Sequence, residues 1–154
     1  MKKQIVVVSA VLVVVTLAVI WGFSAQDADE SGALSSRFAQ LVAGLPGIGA
    51  WTDIDMWEHV LRKMAHGSIY FVLGVGLTGA LVMRRMRVAM WAVPALGLVM
   101  ATIDEYHQSF VPGRCPSVQD VAIDTVGVCL GMVLMLTLRR LYRHKQQSHQ
   151  KNPS

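Results

Sequence analysis

At 154 residues the chain is long enough for one ordinary domain, but its 53% apolar and 16% charged residues are segregated, with the apolar ones gathered into long blocks. The net charge of +4 is sorted by position along the chain, which assigns it to membrane topology and leaves no nucleic-acid partner as the reading of the basic tail. Cys115 and Cys129 are too far apart along the chain to bridge and have no metal or redox spacing, so both read as small packing residues.

The first block, Ile5 to Phe23, follows Lys2 and Lys3 and outruns the apolar core of a secretory signal. No small-x-small site ends it, so it reads as a retained anchor. In the next segment Leu34, Phe38, Leu41, Val42 and Leu45 recur at helical spacing before Gly44, Pro46 and Gly47, which predicts a short amphipathic helix on the outer interface. Asp53 is placed to cap a helix with Trp57, Val60, Leu61 and Met64 on one face and a Glu58–Arg62 pair at i, i+4. The second span covers about 64–83, the third about 88–106 and the fourth about 119–138, with Pro112-Gly113 as a turn between the last two. Trp21, Trp57 and Trp91 fall near span ends and serve as interface anchors. The polar residues 144–154 are expected to be a disordered cytoplasmic tail after a membrane domain of residues 1–143.

The fold class that results is all-α: an integral membrane four-helix bundle with both termini cytoplasmic. In this orientation all ten acids lie outside and most basic residues lie inside. Arg37, Arg62, Lys63 and Arg114 stand on the acidic side, against the rule, and are candidates for a role.

The strongest functional signal is Asp104-Glu105-Tyr106-His107-Gln108 joined directly to the third apolar run. Charges at the lip of a lipid-embedded helix are costly and mark function by default. Counting from the inner basic residues at about 1.5 Å per residue puts Asp124 roughly 21 Å, Asp104 roughly 24 Å and His66 roughly 25 Å along their helices, inside a hydrocarbon core of about 30 Å. The pairs His66/Tyr70, Asp104/Gln108 and Asp120/Asp124 are each i, i+4, giving each helix one polar face. Those faces should meet in a cavity open to the outer leaflet, helped by the Gly127/Gly131 spacing on the last helix. The carboxylates Asp104, Glu105, Asp120 and Asp124 need compensation from protons, from Lys63 and Arg114, or from a divalent cation held with His66 and His107; salt bridging ranks above metal. Blander roles compete with these: Asp120 as N-cap of the last helix, His66 as a satisfied core histidine, Tyr70 as a packing residue.

Together these residues resemble the VanZ-like family of small bacterial membrane proteins, named for a teicoplanin-resistance factor. The resemblance rests on Phe23-Ser24-Ala25-Gln26, on Arg62-Lys63-Met64-Ala65-His66 with Tyr70 and Leu73-Gly74, and on Asp104-Glu105 through Gln108 with Val111-Pro112-Gly113-Arg114, Ser117, Asp120, Asp124 and Gly127. Gly67, where the family is expected to have an aromatic residue, and Cys115-Pro116 depart from the pattern. The resemblance implies a four-helix protein of the cell envelope; it does not imply that this chain confers antibiotic resistance.

Two functions follow as expectations. In the first, a membrane enzyme acts on a lipid or lipid-linked cell-wall intermediate by headgroup or phosphoester chemistry. His66 is then base or nucleophile, Asp104 and Glu105 orient it or shuttle protons, and Asp124 is a metal or acid partner. Lys63, Tyr70, His107, Gln108, Arg114, Ser117 and Asp120 form the substrate-binding wall. In the second, the same cluster is a structural or ligand-binding network in a non-catalytic envelope or glycopeptide-resistance factor. A transporter is weaker, since four helices make a narrow pathway unless the protein is a homo-oligomer.

Overall fold

In the computed structural model the described residues are 2–26, 54–82 and 86–151, with residues 33, 36, 37, 40 and 41 between the first two stretches. Four helices follow one another: α1 (Lys2–Ser24), α2 (Ile54–Val82), α3 (Met86–Gln108) and α4 (Val118–Lys151). No strand occurs among the described residues. All four helices are long and apolar enough to cross a membrane, and in lipid a helix is the local solution because it satisfies its own backbone groups. Ala33, Ser36, Arg37, Gln40 and Leu41 are helical where the amphipathic segment was expected. Leu34, Phe38, Val42 and Leu45 lie outside the described residues, as do Asp53 and the side chains of Trp57 and Glu58.

Helix α1 turns its largest apolar residues away from the bundle. On α1 the buried stripe is Ser9, Thr16, Ile20 and Ser24, while Val7, Val8, Val11, Val14 and Val15 face outward. Apolar burial gives no advantage when the surroundings are acyl chains, so small and hydroxylated residues take the helix contacts. The threonine hydroxyls are satisfied within their own helices: Thr16 donates to the Leu12 carbonyl and, on α2, Thr78 to that of Gly74, both at 2.7 Å.

Helix α2 is the hub, packing on α1, α3 and most extensively on α4. Its contact with α4 is backbone against backbone. A Cβ on Gly127 would strike the Gly67 carbonyl, one on Gly131 the Phe71 carbonyl, and one on Gly74 the backbone of Val128. Gly67 therefore belongs to the helix contact, and its missing side chain serves close approach there. Helix α3 adds a stripe of Ala89, Val93, Gly97 and Ala101 against the same centre, where Tyr70, Leu73 and Val128 are buried.

Helix α4 extends 34 residues, roughly 51 Å, and continues to Lys151 where a disordered tail from His144 was expected. The physical reason is cheap propagation. Residues 144–151 contain no Gly or Pro, they continue an established helix, and the Gln146 amide donates to the Tyr142 hydroxyl at i, i+4 and 2.9 Å.

The glycine contact sets a test. Gly127→Ala should cost about 1–3 kcal/mol through overpacking and lower the thermal midpoint of detergent-solubilised protein. Gly22→Ala, with open space around the new methyl, should leave the midpoint unchanged. Equal midpoints for the two variants would refute the close α2–α4 contact.

Candidate functional site

The polar residues extend the same stripes that pack the bundle. On α3 the buried series Ala89, Val93, Gly97, Ala101 continues as Asp104 and Gln108. On α2 the line of Leu73 and Tyr70 continues as His66, and on α4 that of Gly131 and Val128 continues as Asp124 and Asp120. Helical periodicity thus aims the polar groups inward at one end of the bundle, because the residues below them are already the core.

The loop between α3 and α4 closes that end. Val111-Pro112-Gly113-Arg114 is a turn in which the Arg114 N–H donates to the Val111 carbonyl at 3.2 Å. Gly113 has φ 74°, the left-handed value that position i+2 of a type II turn requires, with Pro112 at i+1. The turn returns Arg114 to the end of α1, where its Nε donates to the Gln26 carbonyl and its Nη2 to the Phe23 carbonyl, each at 3.3 Å. A cation on the last carbonyls of a helix is favourable on both hydrogen-bonding and dipole grounds. Ser24 Oγ meets His107 Nδ1 at 3.2 Å, and the Trp21 and His107 rings lie 5.3 Å apart. The Phe-Ser-x-Gln element and the signature loop are therefore one joined structure.

The N-cap of α4 is Ser117 and not Asp120. The Gln119 N–H donates to Ser117 Oγ at 3.2 Å and the Asp120 N–H to the Ser117 carbonyl at 3.0 Å. Glu105 supports the cap by accepting from the Ser117 N–H at 2.8 Å, a favourable place for a carboxylate. Asp120 instead pairs with Lys63, Nζ to Oδ1 at 2.9 Å, and Lys63 also donates to Gln119 at 3.4 Å. One turn deeper, His66 Nδ1 stands 3.9 Å from Asp124 Oδ2.

At that depth α2, α3 and α4 converge. One ligand atom each from His66, Asp104 and Asp124 lies within 4.8 Å of the others. Asp104 is 4% exposed and Asp124 fully buried. Gln108 donates to Asp104 at 3.0 Å, but among the described residues neither oxygen of Asp124 has a hydrogen-bond partner, nor does the hydroxyl of Tyr70, 1% exposed. Asp104, Asp120 and Glu105 act on Asp124 with like charge. A buried carboxylate left this way is penalised by several kcal/mol.

A cavity of about 390 Å³ opens over these groups, lined among others by Lys63, His66, Glu105, Arg114, Asp120 and Asp124; Gln108 and Ser117 also border it. Asp104 and Tyr70 line a second, smaller cavity of about 270 Å³ beside α1. His107 faces Ser24 and Trp21, and it borders neither cavity. Sequence reasoning passed over Gln119, which carries no charge or motif signal. Ser24 was visible in the Phe-Ser-x-Gln element but had no assigned partner. The single Arg114 side chain ties loop to α1, so Arg114→Ala should lose about 1–2 kcal/mol of local stability and speed amide exchange at Ala25 and Gln26. Exchange unchanged relative to the distal surface variant Arg87→Ala would show that the clasp does not hold.

No curated protein and no solved structure is similar to the chain at a significant level. A family model does match it from Ser9 to Arg139, a range enclosing every residue that borders the two cavities. The chain is thus a multi-pass membrane protein that belongs to the VanZ/LLP1 family, matched over residues 9–139.

Proposed function

We propose that the protein binds a lipid or lipid-linked envelope intermediate at the outer leaflet and acts on its polar head. The observation that carries this reading is the shape of the empty space. The polar cavity of about 390 Å³ adjoins an apolar groove of about 470 Å³ between α2 and α4, lined by Val60, Met64, Phe71, Val126 and Leu130, and the two share Lys63 and Ile123. A charged cavity beside an apolar groove, with two lining residues in common, suits an amphiphile with its head among ionisable groups and its chain along the helices.

Lys63 stands at the junction, 21% exposed, where a phosphate would compete with Asp120 for its ammonium. His66, Glu105 and Asp124 face the head from below, and they supply the acid, base or ligand groups for phosphoester or headgroup transfer. The orientation belongs to this reading: termini in the cytoplasm, the α3–α4 loop outside.

A second reading, a non-catalytic envelope or glycopeptide-resistance factor, is favoured by one observation. Lys63 and Arg114 already bond to protein atoms, Lys63 to Asp120 and Gln119 and Arg114 to the carbonyls of Phe23 and Gln26. Protein in lipid nanodiscs incubated with labelled phosphatidylglycerol or a labelled polyprenyl phosphate should convert one of them under the first reading and only retain one under the second. Leu130→Trp, which fills the groove, should cut retention several-fold in either case. Wild-type retention by this variant would remove the groove from the proposal. Orientation is tested separately through Cys115, an exposed free thiol. In a Cys129→Ser background a membrane-impermeant maleimide should label intact cells at Cys115, and labelling only after lysis would reverse the topology.

A further inference from the structure

We infer that His66, Asp104 and Asp124 form a binding centre for one divalent transition cation, of the Zn²⁺ or Mn²⁺ type, at the floor of the polar cavity. The inference deepens the lipid reading and rests on it for the cation's use, while its existence can be tested without any lipid.

The first support is geometric. Three donors arrive from three different helices, with one ligand atom of each within 4.8 Å of the others. Of these atoms, His66 Nδ1 and Asp124 Oδ2 are 3.9 Å apart. That is well beyond a hydrogen bond of about 2.7–3.2 Å, yet two ligands each about 2.0–2.2 Å from a shared metal span this gap comfortably.

Independent support comes from what is left unpartnered. Asp124 is fully buried and both its oxygens lack a hydrogen-bond partner among the described residues, although an unpaired buried carboxylate is among the costlier arrangements in a membrane. Tyr70, one turn from His66 on α2, is 1% exposed with its hydroxyl unpartnered and shares the second cavity with Asp104. Lys63, the nearby ammonium, is already paired with Asp120 one turn above.

Charge accounts for the remainder. Two carboxylates and a divalent cation sum to zero, which is the state a low-dielectric interior tolerates. One imidazole with two carboxylates is a mixed N and O set, suited to Zn²⁺ or Mn²⁺ more than to Ca²⁺, which takes six to eight oxygens, or to Mg²⁺, which favours oxygen and water. Gln108, donating to Asp104 at 3.0 Å, holds that carboxylate in one orientation, as partners of metal ligands do. His66 and Asp124 also border the polar cavity, so a three-ligand centre there keeps a position open on the cavity side. A phosphate oxygen of a lipid head would occupy it.

The test uses the full-length protein in detergent, stripped with a chelator and titrated with Mn²⁺ and, separately, Zn²⁺. Wild type should bind one cation per chain saturably and gain thermal stability on addition. Asp124→Asn and His66→Gln should each weaken binding at least tenfold and abolish the thermal gain, whereas His107→Gln, outside the centre, should change neither. Should Asp124→Asn fail to give monodisperse protein, Asp104→Asn takes its place. Well-folded wild type without stoichiometric binding, or His66→Gln with wild-type affinity, would overturn the centre. Metal binding that persists while labelled lipids are ignored would instead overturn the lipid reading alone.

Discussion

Everything at the polar end depends on how closely α2 and α4 approach. At Gly67 against Gly127, and at Phe71 against Gly131, carbonyl meets glycine with no side chain between them. The two helices are thereby held at the separation that sets Lys63 on Asp120 and His66 opposite Asp124. A side chain at either glycine would act on the site without touching a charged group. Close packing substitutes here for the hydrophobic effect, which has no grip between helices already surrounded by lipid.

The clasp at the other flank works by a different force. Arg114 reaches α1 through two hydrogen bonds to carbonyls that the helix end leaves without intrahelical donors. The turn that delivers it requires Gly113 in a left-handed conformation, and Glu105 secures the far side of the same loop through the Ser117 N–H. Loop, α1 and α4 are thus fixed to one another through groups at helix ends that have no intrahelical partner.

Much of this was legible in the chain because lipid imposes long, uniform runs that announce helices, and because Asp104, Asp124 and His66 occupy matching depths. The convergence of those three residues follows from spacing and the Pro112-Gly113 turn from residue type, whereas the Gly127 and Gly131 pattern is a weak signal alone because glycine is common in membrane helices. Partnership follows from neither. Nothing in the order of residues says that Ser117 caps α4 and releases Asp120 for Lys63, that Arg114 chooses carbonyls on α1, or that His107 turns to Ser24 and away from the cavity. Those are side-chain choices made after three helices meet, and each depends on a neighbour far away in sequence. The helical continuation through residues 144–151 was missed for the opposite reason: polar composition alone says little about a segment that extends an existing helix.

That continuation makes α4 a single rigid rod from the Ser117 cap to Lys151, roughly 51 Å long against a hydrocarbon core of about 30 Å. Asp120 and Asp124 ride on one end of it, and Arg139, Arg140, Arg143 and Lys145 ride on the other. Gly127 and Gly131, the glycines between the carboxylates and the basic end, are packed against the backbone of α2, and no Gly or Pro follows between Met132 and Lys151, so a tilt or shift of the rod at its basic end is felt at the carboxylates. The two faces of the membrane are mechanically connected through one uninterrupted helix.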